Sequence, residues 1–211
     1  AGIGVWRAAF KPLVDRIADT DIRLQWFCCD RSTGVTDASG NRITLIRDTQ
    51  SPVAVEYQAV KFIGTGRDNI KAGVFSGWEL GDYIYLRSEE AYMIKMEALA
   101  HKGSAEAVTE LNSFMKTRQP DYNYTFTNKA DLIEEIIYQK RVEFWGEGLE
   151  YIDNRRLNIP VDRTDETWGA ENNNHFSAGK FRYNQEDRPF LYQLPLSEIE
   201  NNSQLSPSDQ N

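Results

Sequence analysis

The hydrophobic positions of the chain change their period near residue 84. Before that point, hydrophobic and polar residues alternate over 53–59, which is typical of a strand with one buried face. Residues 22–29 and 43–46 are also largely apolar and are separated by turn-forming residues, so we predict two or three strands or extended segments in this part. The glycine-rich stretch 64–81 is predicted to be a loop.

After the glycine-rich stretch the spacing becomes helical. Residues 86–102 carry two apolar rows, which predicts a helix that is covered on both sides. Gly103 is expected to end this helix, and Ser104 is expected to cap a second helix over 105–118. So short a connection makes the two helices antiparallel, as in tetratricopeptide-type repeats, and Ala107 supplies the small residue such repeats need at the crossing. The rows are Ala91, Ile94 and Ala98 on one side and Tyr92, Met96 and Leu99 on the other.

Three further helices are predicted. A short one lies within 5–20, where apolar residues recur at helical spacing. A longer one begins at Asn128, a residue type that favours the N-cap position. Gly146 and Gly148 then loosen the chain before a last short helix over 149–156. Helices therefore dominate the predicted secondary structure.

The C-terminal part is predicted to be less regular. The polar stretch after Pro160 is predicted to be a long loop, and Ser197 with Glu200 is predicted to form a capping box at the start of one final helical turn. The complete prediction is one mainly α domain of tetratricopeptide-like helical pairs with an irregular, partly β region. Its parts are an irregular, strand-containing region (1–83), helical repeats (84–157) and a loop with the C-terminal tail (158–211).

Composition excludes several classes of protein. The chain has 211 residues, and 24 Lys and Arg against 32 Asp and Glu give a net charge of −8, which argues against a large nucleic-acid interface. No apolar run is long enough for a membrane-spanning helix. Cys28 and Cys29 are adjacent and His101 and His175 lie far from them, so we expect no disulfide scaffold, no metal and no cofactor. Because the start at Ala1 has neither an initiator Met nor a signal peptide, we expect a processed or truncated chain.

Three motifs follow one another in a fixed order along the chain. The first is an arginine–acid–aliphatic helix at 87–98, and the second places an Arg, a Glu, a Glu-Gly pair and an Asp with a following Arg over 139–156. The third is the C-terminal segment 194–202, and the Asp-Ile-Arg-Leu run at 21–24 is a weaker fourth element. Together these motifs make the chain resemble the SusD/RagB family. The motif residues are Arg87, Glu90, Glu97, Arg141, Glu143, Glu147, Gly148, Asp153 and Arg156.

The resemblance implies a mainly helical fold, in which tetratricopeptide-like pairs pack against a less regular region that faces the ligand. It also implies a function. Members of this family are outer-membrane lipoproteins on the cell-surface face, and they are not enzymes. They capture glycans, and in some cases peptides or glycoproteins, for a SusC-like TonB-dependent transporter. The resemblance covers about the C-terminal half of a usual member, so the lipid anchor that makes the membrane contact would lie outside this chain. Gln139 and Glu150 depart from the family pattern, in which an acid and an arginine are common at these positions.

Two other interpretations come from the residues themselves. Glu143 and Glu147 lie four apart on one helix face, and a hydrolase needs two acids with separated pKa values. Nearby basic residues favour instead a structural ion-pair cluster that joins the last two predicted helices and includes Arg141, Asp153 and Arg156. The third interpretation is a helical module for protein–protein contacts, which would leave the strand region and the long loops without a role.

Exposed aromatic side chains are the candidates for carbohydrate contact. The chain has 5 Trp, 10 Tyr and 10 Phe, and flat aromatic faces suit the apolar faces of sugar rings. Trp6 and Trp78 lie beside glycines in loop-like sequence, which favours them, whereas Trp26 lies in a predicted strand and is a weaker candidate. Trp168 and His175 lie in the polar C-terminal stretch, where His175 is predicted to be solvated.

Overall fold

A computed structural model of the chain describes residues 8–28, 57–59, 61, 85–187 and 191–209. The chain divides into two compact units, Ala1–Glu147 and Gly148–Asn211. The described part is mainly helical, as predicted, and none of its helices is both long and apolar enough to cross a membrane. The first unit contains helices α1 (Lys11–Asp15), α2 (Ser88–His101), α3 (Glu106–Met115) and α4 (Lys129–Glu143), a 3₁₀ helix (Ile22–Trp26), and strands β1 (Phe27–Cys28) and β2 (Gln58–Ala59). The second contains α5 (Leu149–Leu157), β3 (Val161–Asp162), α6 (Asp165–Trp168), a 3₁₀ helix (Ser177–Gly179), β4 (Arg182–Tyr183), α7 (Leu196–Asn201) and a 3₁₀ helix (Pro207–Asp209).

Helices α2 and α3 form the predicted helical pair. Gly103 has a φ of 71°, in the left-handed region that favours glycine, so the chain can turn directly after α2. The Ser104 hydroxyl accepts a hydrogen bond from the Glu106 N–H at 3.3 Å, at the start of α3. Lys95, in the middle of α2, pairs with Glu110 of α3 at 2.7 Å. Because the connection 102–105 is short, a pairing between the middles of the two helices means that they run antiparallel.

The burial of α2 differs from the prediction. Its buried residues lie on one face of the helix, and α3 and α4 both pack against α2. Within the part of the chain that the structure describes, the prediction of cover on both sides is wrong, because Ile94 is 54% exposed and Tyr92 is 53% exposed. The buried residues are Met93, Met96, Glu97 and Ala100, while Ala91 and Ala98 are exposed.

Helix α4 packs against both α1 and α2. It begins as predicted, since the Asn128 side chain accepts a hydrogen bond from the Asp131 N–H at 3.0 Å. The predicted apolar residues Leu132 and Ile136 are buried. Most of the rest of the helix is buried as well, including four polar side chains that need partners inside the protein. These are Glu135, Gln139, Lys140 and Glu143.

The N-terminal segment is less extended than predicted, although the short helix within 5–20 is confirmed as α1. Residues 22–26 of the predicted strand form a 3₁₀ helix. The reason is local, because the Asp21 carboxylate accepts a hydrogen bond from the Arg23 N–H at 2.9 Å and so begins a tight turn. Of the described residues in the predicted strand, 27 and 28 are extended, and they form β1, which pairs antiparallel with β2. Residues 43–46, 53–56 and 64–81 lie outside the described residues.

The second unit is more ordered than a long loop. Gly148 has a φ of 86° and precedes α5, which confirms the predicted helix after the two glycines. Farther along, β3 and β4 pair antiparallel, and the Asp162 carboxylate accepts hydrogen bonds from Thr164, Thr167 and Arg182. The predicted long loop after residue 160 is therefore interrupted by short elements, and the Asp162 carboxylate links β3 with β4 and with the residues that follow β3.

The predicted capping box is also wrong. Helix α7 begins at Leu196 with Pro195 in the N-cap position, and no side chain caps it. Ser197 lies inside the first turn, where its carbonyl oxygen accepts a hydrogen bond from the Asn201 side chain at 2.7 Å. The extended backbone of Pro195 precedes the helix, which therefore starts two residues earlier than the capping box predicted.

Candidate functional site

Glu143, at the end of α4, is completely buried and is surrounded by arginines. Its Oε1 atom lies 2.8 Å from Arg87 Nη1 and 3.0 Å from Arg118 Nη2. Its Oε2 atom lies 3.2 Å from Arg118 Nε and 3.4 Å from Arg23 Nη1. Both carboxylate oxygens are therefore used by cations that come from three separate parts of the sequence.

Glu147 extends this charged cluster beyond the end of α4. Its carboxylate accepts hydrogen bonds from Arg87 Nε at 3.0 Å and from Lys61 Nζ at 2.5 Å. The Lys61 ammonium also donates to the backbone carbonyls of Glu143 and Trp145. Burial lowers the pKa of Lys61, and the hydrogen bond to Glu147 opposes that effect.

The pKa of Glu143 bears on the hydrolase interpretation. Burial raises the pKa of this carboxyl, but hydrogen bonds from Arg118 and Arg87 outweigh burial, so the pKa lies below its usual range. A general acid that works near neutral pH needs a raised pKa. Glu143 therefore stays ionised, and its geometry is that of a structural ion pair.

The partners in this cluster differ from the predicted ones. The sequence pointed to basic residues adjacent to Glu143 and Glu147, whereas the cations that pair with them are Arg23, Lys61, Arg87 and Arg118. Asp153 pairs with Arg156 at 2.7 Å, and both belong to α5 in the second unit. The reason is geometric, because a helix end can be reached by side chains from distant segments that pack against it.

The remaining motif residues of the first unit are buried or half-buried, and one of them forms an ion pair between helices. Glu97 of α2 is buried and pairs with Lys140 of α4 at 3.1 Å, so this pair links the two helices. His101 lies 3.7 Å from the same carboxylate and is half exposed. Glu90 and Arg141 are half-buried.

Arg23 is the centre of a buried cluster of polar side chains. The only signal for it in the sequence was the weak Asp-Ile-Arg-Leu element at 21–24. Arg23 is 1% exposed, and its guanidinium donates to Asp21 at 2.7 Å and to Gln139 Oε1 at 2.5 Å. The Gln139 amide in turn donates to Glu135 at 2.7 Å. Gln139 thus connects a cation with an anion, which an acid at this position could not do in its ionised form.

A cavity of about 270 Å³ lies next to this buried group, inside the first unit. One wall is the segment that follows α1, the second is the loop 119–124, and the third is one face of α4. The lining residues are Arg16, Ile17, Ala18, Asp21, Gln119, Asp121, Tyr122, Asn123, Tyr124, Glu135, Tyr138 and Gln139.

The inner wall of the cavity is built around Glu135. Its carboxylate accepts hydrogen bonds from the Tyr122 hydroxyl at 2.9 Å and from Arg16 Nη2 at 2.6 Å. The Arg16 guanidinium lies 3.9 Å from the centre of the Tyr138 ring, a cation–π contact. Burial raises the pKa of both tyrosines, and the Glu135 charge raises that of Tyr122 further. Both hydroxyls therefore remain protonated.

The rim of the cavity is polar and accessible. Asp121 is exposed, and hydrogen bonds from Thr20 and Gln119 lower the pKa of its carboxyl. Asn123 is exposed beside it. Tyr124 is half-buried and is held by three hydrogen bonds. Its hydroxyl donates to the Asp131 carbonyl, its N–H donates to the Asn112 side chain, and its carbonyl accepts from the Asn112 amide. Tyrosine rings next to amide and carboxylate groups can bind a ligand that has apolar faces and hydroxyl edges.

The tryptophans that the sequence suggested as carbohydrate contacts differ in their surroundings. Trp6 and Trp78 lie outside the described residues. Trp26 is half-buried, packs against the core of the first unit, and has Lys61 Nζ 4.7 Å above its ring. Trp168 is 38% exposed, and its ring nitrogen donates to the Asp162 carbonyl at 2.9 Å.

His175 is predicted to be solvated, but the structure places it half-buried. Burial lowers the pKa of its ring. Across the described ranges of the chain, no group of three or more His, Cys, Asp or Glu side chains is arranged to hold a metal ion.

Comparison with known proteins finds a match to one protein family and a similarity in fold to a solved structure. The sequence profile of the SusD family matches residues 57–211. The chain is similar in fold to the crystal structure of a SusD-like carbohydrate binding protein from Bacteroides vulgatus, with a TM-score of 0.58 and 21% sequence identity over 92% of this chain. The chain spans 40% of the length of that protein. No curated protein matches it.

Proposed function

Because this chain belongs to the SusD family, we propose that it takes part in the capture of oligosaccharides or glycoconjugates at the cell surface, without altering them. The observation that carries the proposal is the family match over residues 57–211, which agrees with the three ordered motifs. Uptake would then follow through a SusC-like TonB-dependent transporter in the outer membrane. The fold likeness to a protein described as carbohydrate binding supports the same proposal.

The charged cluster argues against catalysis by Glu143 and Glu147. Glu143 and Glu147 are the acids that a hydrolase would use, yet their oxygens are bonded to arginine and lysine side chains. An acid pair that flanks a substrate needs one protonated and one ionised carboxyl with free access to the ligand. Prolonged incubation of the chain with a bound glycan should therefore give no shorter product by chromatography. A product that accumulates with time would overturn this part of the proposal.

The test of the binding function is a glycan array followed by calorimetry on the 211-residue chain. We expect modest affinity, because a shallow sugar contact gains little free energy and loses ordering entropy. We also expect little change in affinity between low and high salt, because uncharged hydroxyl groups dominate the contact. Binding to peptides but to no glycan would assign the chain to the peptide-capturing members of the family.

The tryptophans are proposed as carbohydrate contacts and are tested separately. Trp6→Ala and Trp78→Ala are expected to weaken glycan binding, and Trp26→Ala is expected to weaken it less because Lys61 already lies over that ring. Trp168→Ala tests a further exposed tryptophan, whose ring is fixed by its hydrogen bond to the Asp162 carbonyl. Unchanged binding in the Trp6 and Trp78 variants would remove those two residues from the site and leave the family function in place.

A further inference from the structure

We propose that the cavity between the segment after α1, the loop 119–124 and α4 binds one ring of an uncharged saccharide and disfavours saccharides that carry carboxylate or sulfate groups. This inference rests on the proposed function and assigns a place and a ligand class to it. Three observations carry it: the size of the cavity, the groups at its rim, and the balance of charge around it.

The size of the cavity fits a single ring. Pockets that bury drug-sized ligands have volumes of about 300–1,000 Å³. The volume here, about 270 Å³, lies just below that range. One ring of a longer glycan could therefore enter the cavity, while the neighbouring rings would remain outside.

The rim provides groups that match a sugar. Tyr124 lines the cavity, and its hydroxyl and its backbone N–H are held by hydrogen bonds to the Asp131 carbonyl and the Asn112 side chain. The exposed Asn123 amide offers two donors and an acceptor to hydroxyl groups, and the exposed Asp121 carboxylate offers further acceptors. An aromatic face beside planar polar groups suits a ring with an apolar face and hydroxyl edges.

The charges around the cavity leave one carboxylate without a counter-charge. Asp21 is paired with Arg23 and Glu135 is paired with Arg16. The hydrogen-bond partners of Asp121 are the neutral side chains of Thr20 and Gln119, and no described cation forms an ion pair with it. An anionic sugar would therefore meet a repulsive charge at the rim, whereas a neutral sugar would not.

The experiment compares two matched glycan classes on the whole chain. Neutral oligosaccharides (glucans, mannans and galactans) and acidic ones (oligogalacturonates and sulfated galactans) are measured by calorimetry with the unmodified chain and with Asp121→Asn. We expect the unmodified chain to bind the neutral class more tightly. Asp121→Asn should improve binding of the acidic class about three- to tenfold relative to the neutral class.

The position of the contact is tested with three further variants. Asn123→Ala should weaken binding of the neutral class about two- to tenfold through loss of hydrogen bonds. Tyr124→Ala should weaken it as well, while Tyr124→Phe, which keeps the ring, should restore most of the affinity. Phe126→Ala is the matched control, because Phe126 is an exposed aromatic residue two positions farther along that does not line the cavity.

The results of these measurements distinguish a failure of this inference from a failure of the proposed function. If neutral glycans bind and the Asn123 and Tyr124 variants bind as well as the Phe126 control, the cavity is not the site, although the family function stands. A preference for acidic glycans in the unmodified chain would also overturn the inference. If no glycan binds at all, the proposed function fails, and the inference fails with it.

Discussion

At the scale of single residues, Glu143 is the point where guanidinium groups from three parts of the chain meet. Arg23, Arg87 and Arg118 all contact its carboxylate, and Glu143 and Arg23 are almost completely buried. A buried ion pair gives little net stability compared with an apolar pair, because both charges lose their hydration. The loss of one partner is costly, however, since the remaining charges stay buried without compensation.

We therefore predict that Glu143→Gln lowers the free energy of unfolding by about 3–5 kcal/mol. The substitution keeps the shape of the side chain and removes the charge that three arginines share. Urea unfolding followed by circular dichroism measures the change, and Glu134→Gln is the control because that side chain is 79% exposed. Equal stability of the two variants would show that the cluster does not hold the first unit together.

A second residue-scale prediction concerns Gln139, where the sequence departs from the family pattern. Its amide donates to Glu135 at 2.7 Å and accepts from Arg23 at 2.5 Å. Gln139→Glu would place two carboxylates in contact, and we expect a loss of about 1–3 kcal/mol at pH 7 because one hydrogen bond is replaced by a repulsion.

The stability of the Gln139→Glu variant, measured at two pH values, is the control for this prediction. The contact between two acids raises the pKa of the pair in the folded state, so the loss should shrink as the pH falls toward 4.5 and one carboxyl becomes protonated. A loss that is the same at both pH values would mean that the new carboxylate turns away from Glu135.

At the scale of elements, a helix begins where it is predicted when the N-cap residue and the hydrophobic stripe indicate the same start. The Asn128 cap and the buried residues Leu132 and Ile136 were all readable from the sequence, and α4 begins where they predicted. The prediction of a strand from residue 22 is wrong over 22–26, because the Asp21 side chain accepts a hydrogen bond from the Arg23 N–H and favours a 3₁₀ turn over an extended chain. Patterns of hydrophobicity do not contain such side chain–backbone contacts.

The cap of α4 allows a quantitative prediction. Asn128→Ala should lower the free energy of unfolding by about 1 kcal/mol, because the Asp131 N–H loses its acceptor. Asn128→Gly should cost only a few tenths of a kcal/mol, since glycine is tolerated at this position. The two variants are compared by thermal unfolding, and the same loss in both would mean that the side-chain hydrogen bond is not the cause.

The second unit shows the same limit of sequence reasoning. Asp162 accepts hydrogen bonds from Thr164 and Thr167 and pairs with Arg182 of β4. Burial works against ionisation, but these bonds lower the pKa of this carboxyl to about 2. The sequence shows only a polar stretch here, because the order comes from one side chain and the partners that fold around it.

At the scale of the whole molecule, the cavity was the part of the candidate site that the sequence could not show. Arg16 and Glu135 are 119 positions apart, and Thr20 and Asp121 are 101 positions apart. No local pattern connects such residues, and they become neighbours only when the segment after α1 packs against α4 and the loop 119–124. The family, in contrast, could be predicted, because its motifs lie within short segments whose order is readable along the chain.

The first unit should also lose stability in acid. The pKa of Glu143 is lower in the folded protein than the value of about 4.3 expected for an unfolded chain. A depressed carboxyl pKa gives stability that is fully present above the unfolded value and is lost as the pH falls through the folded value.

We expect the urea midpoint to fall steadily between pH 5 and pH 3, with a weaker dependence in Glu143→Gln. The Glu134→Gln control should keep the slope of the unmodified chain, because that carboxylate is exposed to solvent. An identical slope in Glu143→Gln would assign the acid sensitivity to other carboxyls.

The arrangement around Glu143 also has a consequence for the time course of folding. Arg118 and Arg87 lie 25 and 56 positions from Glu143, whereas Arg23 lies 120 positions away. Closing the longest loop costs the most chain entropy, so the Arg23 contact should form after the rate-limiting step, once α2, α3 and α4 have already assembled. Arg23→Met should then speed unfolding and leave the refolding rate nearly unchanged in stopped-flow measurements. The distant arginine would thus determine how long the folded first unit survives, and not how quickly it is made.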